Sequence, residues 1–246
     1  MKKKLLTAAI LTVAAIALVV VTVLTTIAYL TSSSAVSNTF TVGNVGIKMY
    51  ESNVDDNGKK IADTDLHGTM KDSDGNNYHL MPGKTYDKDP TIYVDASSDS
   101  SYLFVKVRNN ISSIEYGNFV HADNTVSAQD STKPTIEKQM IANGWVKYLE
   151  TATGTVYLYT DGNGKALPVG GTNTDMEIDV FSTFSIDEHA DISLYGGAKV
   201  TLTAFAIQTA GFVDNTETAA DEAVDAAWAA IVETYPYEGG AAVNNP

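Results

Sequence analysis

Histidines are the side chains of this chain best suited to bind a transition metal or to serve a zinc hydrolase. The four histidines, His67, His79, His121 and His189, are scattered among turn residues. A zinc peptidase of the His-Glu-x-x-His type needs two histidines one helical turn apart. No pair has that spacing, and Glu188-His189 is the nearest approach. We therefore predict four solvated loop histidines, no metal ligands and no catalytic residues.

Calcium is the alternative ion, because one loop carries oxygen side chains at alternating positions. Asp72-Ser73-Asp74-Gly75-Asn76 begins in the way that Ca²⁺ loops do. An EF-hand would need Gly in place of Asn77 and Glu in place of Gly83. A polar hairpin turn is the favoured interpretation. The same reasoning predicts tight turns at residues 55–58 and 161–164.

The elements that would carry these loops are mostly strands. Leu103, Val105 and Val107 alternate with Lys106 and Arg108, which predicts a half-buried strand. Short runs of this kind, divided by turn residues, are typical of an antiparallel β-sandwich. The same alternation occurs in Met176, Ile178, Val180 and Phe184, in Val200, Leu202, Ala204 and Ala206, and in Val156 and Leu158 against Tyr157 and Tyr159.

Two helices accompany the predicted strands. Lys133–Ala142 reads as a short crossover helix, with Ile136, Met140 and Ile141 at helical spacing and Asn143-Gly144 as its end. Thr218–Glu233 reads as a C-terminal helix, whose Trp228 is expected to pack on the sandwich. Its predicted apolar stripe consists of Ala223, Ala226, Ala227, Ala230 and Ile231.

The first residues direct the chain to a membrane. Lys2, Lys3 and Lys4 precede an apolar run over residues 5–30, and Thr26-Ile27-Ala28 suits a signal peptidase. We predict cleavage between Ala28 and Tyr29, with Ser33-Ser34-Ala35 as a second possible site. A run of this length could also remain as a membrane anchor.

Composition fits an exported domain that does not bind nucleic acid. The formal charge of the 246-residue chain is −14, and it becomes more negative when the three lysines of the leader are removed. Such a surface repels nucleic acid and anionic lipid. The chain has no cysteine, so its stability must come from an apolar core rather than from disulfides. With no cysteine and no Gly-x-Ser-x-Gly motif, a covalent hydrolase has no nucleophile.

Four stretches carry a resemblance to a known family. They are residues 29–47 with Asn38-Thr39-Phe40, residues 81–94 with Pro-Gly and Asp-Pro pairs, residues 101–107, and residues 204–228. In these stretches the chain resembles the TasA/camelysin family of biofilm-matrix fibre subunits. Residues 110–175 match loosely, and the usual acidic residue after the mature N-terminus is absent.

The resemblance implies a jelly-roll subunit that polymerises by donor-strand exchange. Residues 29–38 are small and polar and lead into a strand predicted over Thr39–Met49, so a free segment could complete a neighbour's sheet. The donor residues would be Tyr29, Leu30, Ala35, Val36, Phe40 and Val42. Because apolar residues change phase along this strand, we expect a bulge and hinge at Gly43-Asn44. A frayed N-terminus before an ordinary strand is the alternative.

The resulting prediction is a secreted structural subunit without cofactor. Residues 1–28 are the signal peptide, 29–42 the donor segment, 43–235 the jelly-roll-like antiparallel β-sandwich with its crossover and C-terminal helices, and 236–246 a flexible tail. The expected partners are other copies of the chain, joined head to tail, and a signal peptidase. Whether an accessory fibre protein also takes part is left open. Contact with a membrane would be confined to the precursor. Two alternatives are a monomeric surface adhesion module and, least favoured, a secreted metallopeptidase of the kind described among relatives.

Overall fold

The computed structural model describes residues 44–61, 76–126, 132–212 and 220–234. All of these residues belong to one compact unit. Secondary structure in this part of the chain is mostly strand, as predicted. The nine strands are β1 Ile47–Tyr50, β2 Thr85–Asp87, β3 Thr91–Val94, β4 Ser101–Asn109, β5 Trp145–Thr151, β6 Gly154–Tyr159, β7 Met176–Asp179, β8 Thr183–Ser185 and β9 Val200–Gln208. The helices are α1 Ile136–Ala142 and α2 Ala220–Thr234, and single 3₁₀ turns occur at Ser112–Ile114 and Ile192–Leu194.

The first layer of the fold contains five strands. Strands β1, β3 and β7 pair antiparallel in that order, and β2 pairs antiparallel with β8. The β2–β8 and β3–β7 ladders share one register and continue each other across residues 88–90. There the Lys88 N–H donates to Ser182 O at 3.0 Å, and the Val180 N–H donates to Pro90 O at 2.9 Å. Pro90 has no N–H to donate, which explains why regular pairing stops at this point.

The second layer is a four-stranded antiparallel sheet in the order β5-β6-β4-β9. Its central strand, β4, pairs with β9 over all nine of its residues. The inner face of the sheet presents Leu103, Val105 and Tyr157 to the first layer, and these side chains belong to one buried cluster with Ile92, Val94 and Ile178. The two layers therefore form the predicted antiparallel β-sandwich, while the jelly-roll topology remains a prediction.

The prediction that β4 is half buried is wrong. The alternation is present, but Tyr102, Phe104 and Lys106 on the outer face are buried along with the inner face. For Tyr102 and Phe104 the reason is α2, which packs on this face. Phe104 packs against Trp228 with 5.2 Å between ring centroids, and β6 contributes Val156 and Leu158 to the same outer cluster. Both faces of the central strands are thus covered.

Helix α2 confirms the predicted C-terminal helix and the role of Trp228. The indole contacts Phe104, Tyr148 and Phe205 of the sheet. The predicted stripe is partly wrong, since Ala226 is exposed and Val224 is buried in its place. The buried face follows residues 223, 224, 227, 228 and 231, a spacing that keeps the larger Val, Trp and Ile side chains toward the sheet.

Helix α1 confirms the predicted crossover helix, with a later start at Ile136. Thr135 caps its N-terminus by accepting a hydrogen bond from the Lys138 N–H at 3.3 Å. Ile136 and Met140 are buried as predicted, but Ile141 is 55% exposed. The side chain that takes its place against the sandwich is the polar Gln139, which is buried.

Candidate functional site

The structure describes one residue of the predicted donor segment and hinge. Asn44 lies just before β1, whereas Ala28, Gly43 and the donor positions Tyr29, Leu30, Ala35, Val36, Phe40 and Val42 lie outside the described residues. The tail at 236–246 and the calcium-like stretch at 72–75 lie outside them as well. Asn44 therefore marks the point at which the N-terminal segment joins the sandwich.

Asn44 is fastened to the loop that follows β3. Its N–H donates to Asp99 Oδ2 at 3.0 Å, and its carbonyl accepts from the Asp99 N–H at 2.8 Å. Its side-chain amide donates to Ser97 Oγ at 2.8 Å. Asp99 Oδ2 also accepts from Gln208 Nε2 at 2.7 Å. One carboxylate thus joins the start of β1 to the end of β9, and the N-terminal segment enters at that corner.

Strands β1 and β9 form one edge of the sandwich, which we call the β1–β9 edge. Among the described strands, none pairs with the outer side of either β1 or β9. The inward side chains on both strands contact the inter-sheet core but remain half-buried. They are Ile47 and Met49 on β1 and Val200, Leu202, Ala204 and Ala206 on β9. This edge combines unpaired strand backbone with incompletely covered apolar side chains.

The opposite edge, formed by β5 and β7, is covered. Trp145 of β5 is fully buried, and its Nε1–H donates to Asp179 O of β7 at 2.9 Å. Gln139 of α1 reaches the strand beyond β7: its Nε2 donates to Thr183 O at 2.7 Å, and its Oε1 accepts from the Ser182 N–H at 3.0 Å. The crossover helix therefore closes this side of the sandwich.

A buried carboxyl group, Glu115, holds the start of α1. It accepts hydrogen bonds from the Ile136 N–H at 2.7 Å and from Asn109 Nδ2 at 3.0 Å. Burial raises the pKa of Glu115 to about 7, and these two hydrogen bonds oppose the shift. A polar cavity of about 400 Å³ lies beside it. Since both donors belong to the fold itself, we assign this carboxyl a structural role.

Sequence reasoning missed a cluster of two histidines and an aspartate. His121, Asp187 and His189 each place a ligand atom within 4.8 Å of the other two. The imidazoles of His121 and His189 meet edge to face, with 4.9 Å between ring centroids. Both histidines lie in loops, as predicted, but their contact with each other was not anticipated from the sequence. The Asp-x-His spacing at 187–189 was the available local signal, whereas the approach of His121 depends on the tertiary fold.

Backbone hydrogen bonds bring the two histidine loops together. The loop after β4 runs beside the end of β8, where the Tyr116 N–H donates to Ser185 O and the Asp187 N–H donates to Ile114 O. His121 follows in a tight turn, because its carbonyl accepts from the Asn124 N–H and Asn124 has φ 64°. These contacts set the distance between His121 and His189.

The loops predicted as tight turns at residues 55–58 and 161–164 are turns. In each, the leading aspartate accepts backbone N–H groups through Oδ1, as with Asp55 and the Asn57 and Lys59 N–H groups. Gly58 and Gly162 adopt positive φ, as such turns require. The Asp55 and Asp161 Oδ1 atoms are therefore occupied by their own loops.

Within the described ranges, no helix is both long and apolar enough to cross a membrane. The chain was also compared with protein families, curated proteins and solved structures. No family model, curated protein or solved structure matches it.

Proposed function

We propose that this chain is a secreted structural subunit of extracellular or cell-surface fibres, which polymerises when its N-terminal segment adds a strand to a neighbouring copy. The observation that carries the proposal is the β1–β9 edge, where strand backbone that pairs with no other described strand runs beside half-buried core residues. An added strand would satisfy the N–H and C=O groups of such an edge and would cover its apolar side chains.

The donor segment has a length and a pattern suited to this edge. Residues 29–42 would reach about 46 Å when extended, at about 3.3 Å per residue, whereas the nine residues of β9 span about 30 Å. Leu30, Val36, Phe40 and Val42 all occupy even positions, so an extended segment would present them on one face. That face can cover apolar side chains while the other faces water.

The position of Asn44 places the origin of the donor segment at the β1–β9 edge. The segment leaves the sandwich at the corner where β1 begins and β9 ends, so each copy carries a donor and an acceptor edge. A head-to-tail contact of this kind does not close on itself and gives a linear polymer. Such an assembly fits the resemblance to the TasA/camelysin fibre subunits.

Removal of the leader would act as the assembly switch. While residues 5–27 stay in the bilayer, the segment from Tyr29 onward is tethered beside the membrane. Cleavage after Ala28 would free it to pair with another copy outside the cell. The proposal therefore expects no polymer from the uncleaved precursor.

Two matched substitutions in the mature chain beginning at Tyr29 test the proposal. Phe40→Asp places a charge on the apolar face of the donor strand, whereas Thr41→Asp places the same charge on the opposite face. We expect filaments from the mature chain and from Thr41→Asp in negative-stain electron microscopy, and dispersed particles from Phe40→Asp. Dispersed particles from the unaltered mature chain would favour the monomeric adhesion module.

A further inference from the structure

The group of His121, Asp187 and His189 combines the side chains that bind transition metals. Imidazole nitrogen and carboxylate oxygen are standard ligands of Zn²⁺, at about 2.0–2.2 Å from the ion. The three residues come from two loops that are distant in sequence and are joined by backbone hydrogen bonds. This feature is independent of the β1–β9 edge and of the donor segment.

We propose that His121, Asp187 and His189 form a binding site for a divalent transition metal of the Zn²⁺ type. Each residue would contribute one ligand atom, and those atoms already lie within 4.8 Å of one another. Tetrahedral ligands at zinc distances are about 3.4 Å apart. Closing the cluster around an ion therefore requires shifts of about 1 Å, which side-chain rotations can supply.

Asp187 is the fixed member of the site. Its side chain is 1% exposed, and its Oδ1 accepts from the His189 N–H at 2.8 Å. The same oxygen lies 3.3 Å from His189 Nδ1. The carboxylate is thus held by the turn that also carries His189, which places both groups before an ion arrives.

The side chains of the two histidines differ in how far they are exposed. His121 is half-buried and packs edge to face against Phe119, with 5.2 Å between centroids. The side chain of His189 is 59% exposed. His189 can therefore adjust around the ion from the solvent side. Three protein ligands leave a fourth position for water or for a group from outside, as in open zinc sites.

The ligand set selects the class of ion. Two imidazoles favour borderline ions such as Zn²⁺, whereas Ca²⁺ takes six to eight oxygen ligands. Glu188 adds a nearby carboxylate, with Oε1 3.9 Å from His189 Nδ1, and the chain is strongly acidic overall. These charges attract any cation, but the histidines provide the discrimination between Zn²⁺ and Ca²⁺.

Calorimetric titration with ZnCl₂ of the full chain, purified in mild detergent without a polyhistidine tag, tests the site. We expect one Zn²⁺ per chain, and at least tenfold weaker binding in His121→Gln and in His189→Gln. His79→Gln is the matched control, because His79 is exposed and lies outside the cluster. Its Zn²⁺ affinity should equal that of the unaltered chain.

A CaCl₂ titration of the same proteins separates this site from general attraction to carboxylates. The two histidine substitutions should leave Ca²⁺ binding unchanged. Co²⁺ bound in place of Zn²⁺ should give the visible absorption bands of a low-coordinate nitrogen–oxygen site. A double variant that combines His121→Gln with His189→Gln should lose these bands. Absence of stoichiometric Zn²⁺ binding, or equal Zn²⁺ affinity in the double variant with an unchanged melting temperature, would overturn the proposal.

Discussion

On the side of β5 and β7, α1 and Trp145 lie across the gap between the two sheets, whereas on the side of β1 and β9 the core side chains remain half-buried. Both sides face the same apolar core, so hydrophobicity alone does not distinguish them. The difference is that the first side is closed by elements joined to it through hydrogen bonds. This comparison shows that one edge is closed within the subunit, whereas the other is the edge that the proposed donor strand would cover.

The comparison predicts its largest effect at Trp145. Trp145→Ala should lower the free energy of unfolding by about 3–5 kcal/mol, because it empties a fully buried site and leaves Asp179 O without its donor. Val146→Ala, at a half-exposed position on the same strand, should cost less than about 1 kcal/mol. Urea denaturation measures both. Equal losses would mean that the covered edge is not held by Trp145.

The titration of Glu115 should be visible in the pH dependence of the free energy of unfolding. Its pKa is raised from 4.5 to about 7, so the folded chain binds this proton more strongly than the unfolded chain does. Its contribution to stability is therefore complete below about pH 4.5 and is lost as the pH rises to about 7. The loss amounts to about 3 kcal/mol. Urea denaturation at several pH values between about 4.5 and about 7 should show this loss as a fall in the free energy of unfolding.

Glu115→Gln removes the titration while keeping an acceptor for the Ile136 N–H. The variant should therefore lack this component of the pH slope. Glu150→Gln is a suitable control, because Glu150 is an exposed carboxylate on β5 that pairs with Lys147 and does not contribute to the pKa shift of Glu115. A slope unchanged by Glu115→Gln would mean that this carboxyl is not responsible.

Gln139 tests whether polar contacts of α1 close the covered edge. Gln139→Ala removes the acceptor of the Ser182 N–H and the donor to Thr183 O. We expect a loss of about 2–3 kcal/mol, since buried backbone groups would lose their partners. Lys138→Ala, on the exposed side of the same helix, should change stability by less than about 0.5 kcal/mol. Equal losses of stability in both variants would mean that the hydrogen bonds of Gln139 do not close the covered edge.

Local sequence patterns predicted the elements that depend on local spacing. The strand alternation at 103–107, the helix around Ile136 and Met140, and the packing of Trp228 are all present. Patterns failed where a distant element decides burial. Helix α2 covers Tyr102 and Phe104, and Gln139 replaces Ile141 because its amide meets backbone groups of residues 182 and 183. The cluster of His121, Asp187 and His189 was missed for the same reason, since the fold brings together two histidines that are separated by 67 residues of chain.

The smallest effect on the isolated subunit is expected at the β1–β9 edge. Leu202→Ala shortens a half-buried side chain, so it should cost about 1–2 kcal/mol, less than a fully buried leucine. If a donor strand covers this edge in the fibre, Leu202 becomes fully buried there and the same substitution should weaken assembly more than folding. The critical concentration for polymerisation should then rise more than the loss of subunit stability alone explains. Ile207→Ala, at a half-buried β9 position that packs on the outer cluster instead, provides the contrast. A rise in critical concentration of equal size for both variants would place the acceptor elsewhere on the sandwich.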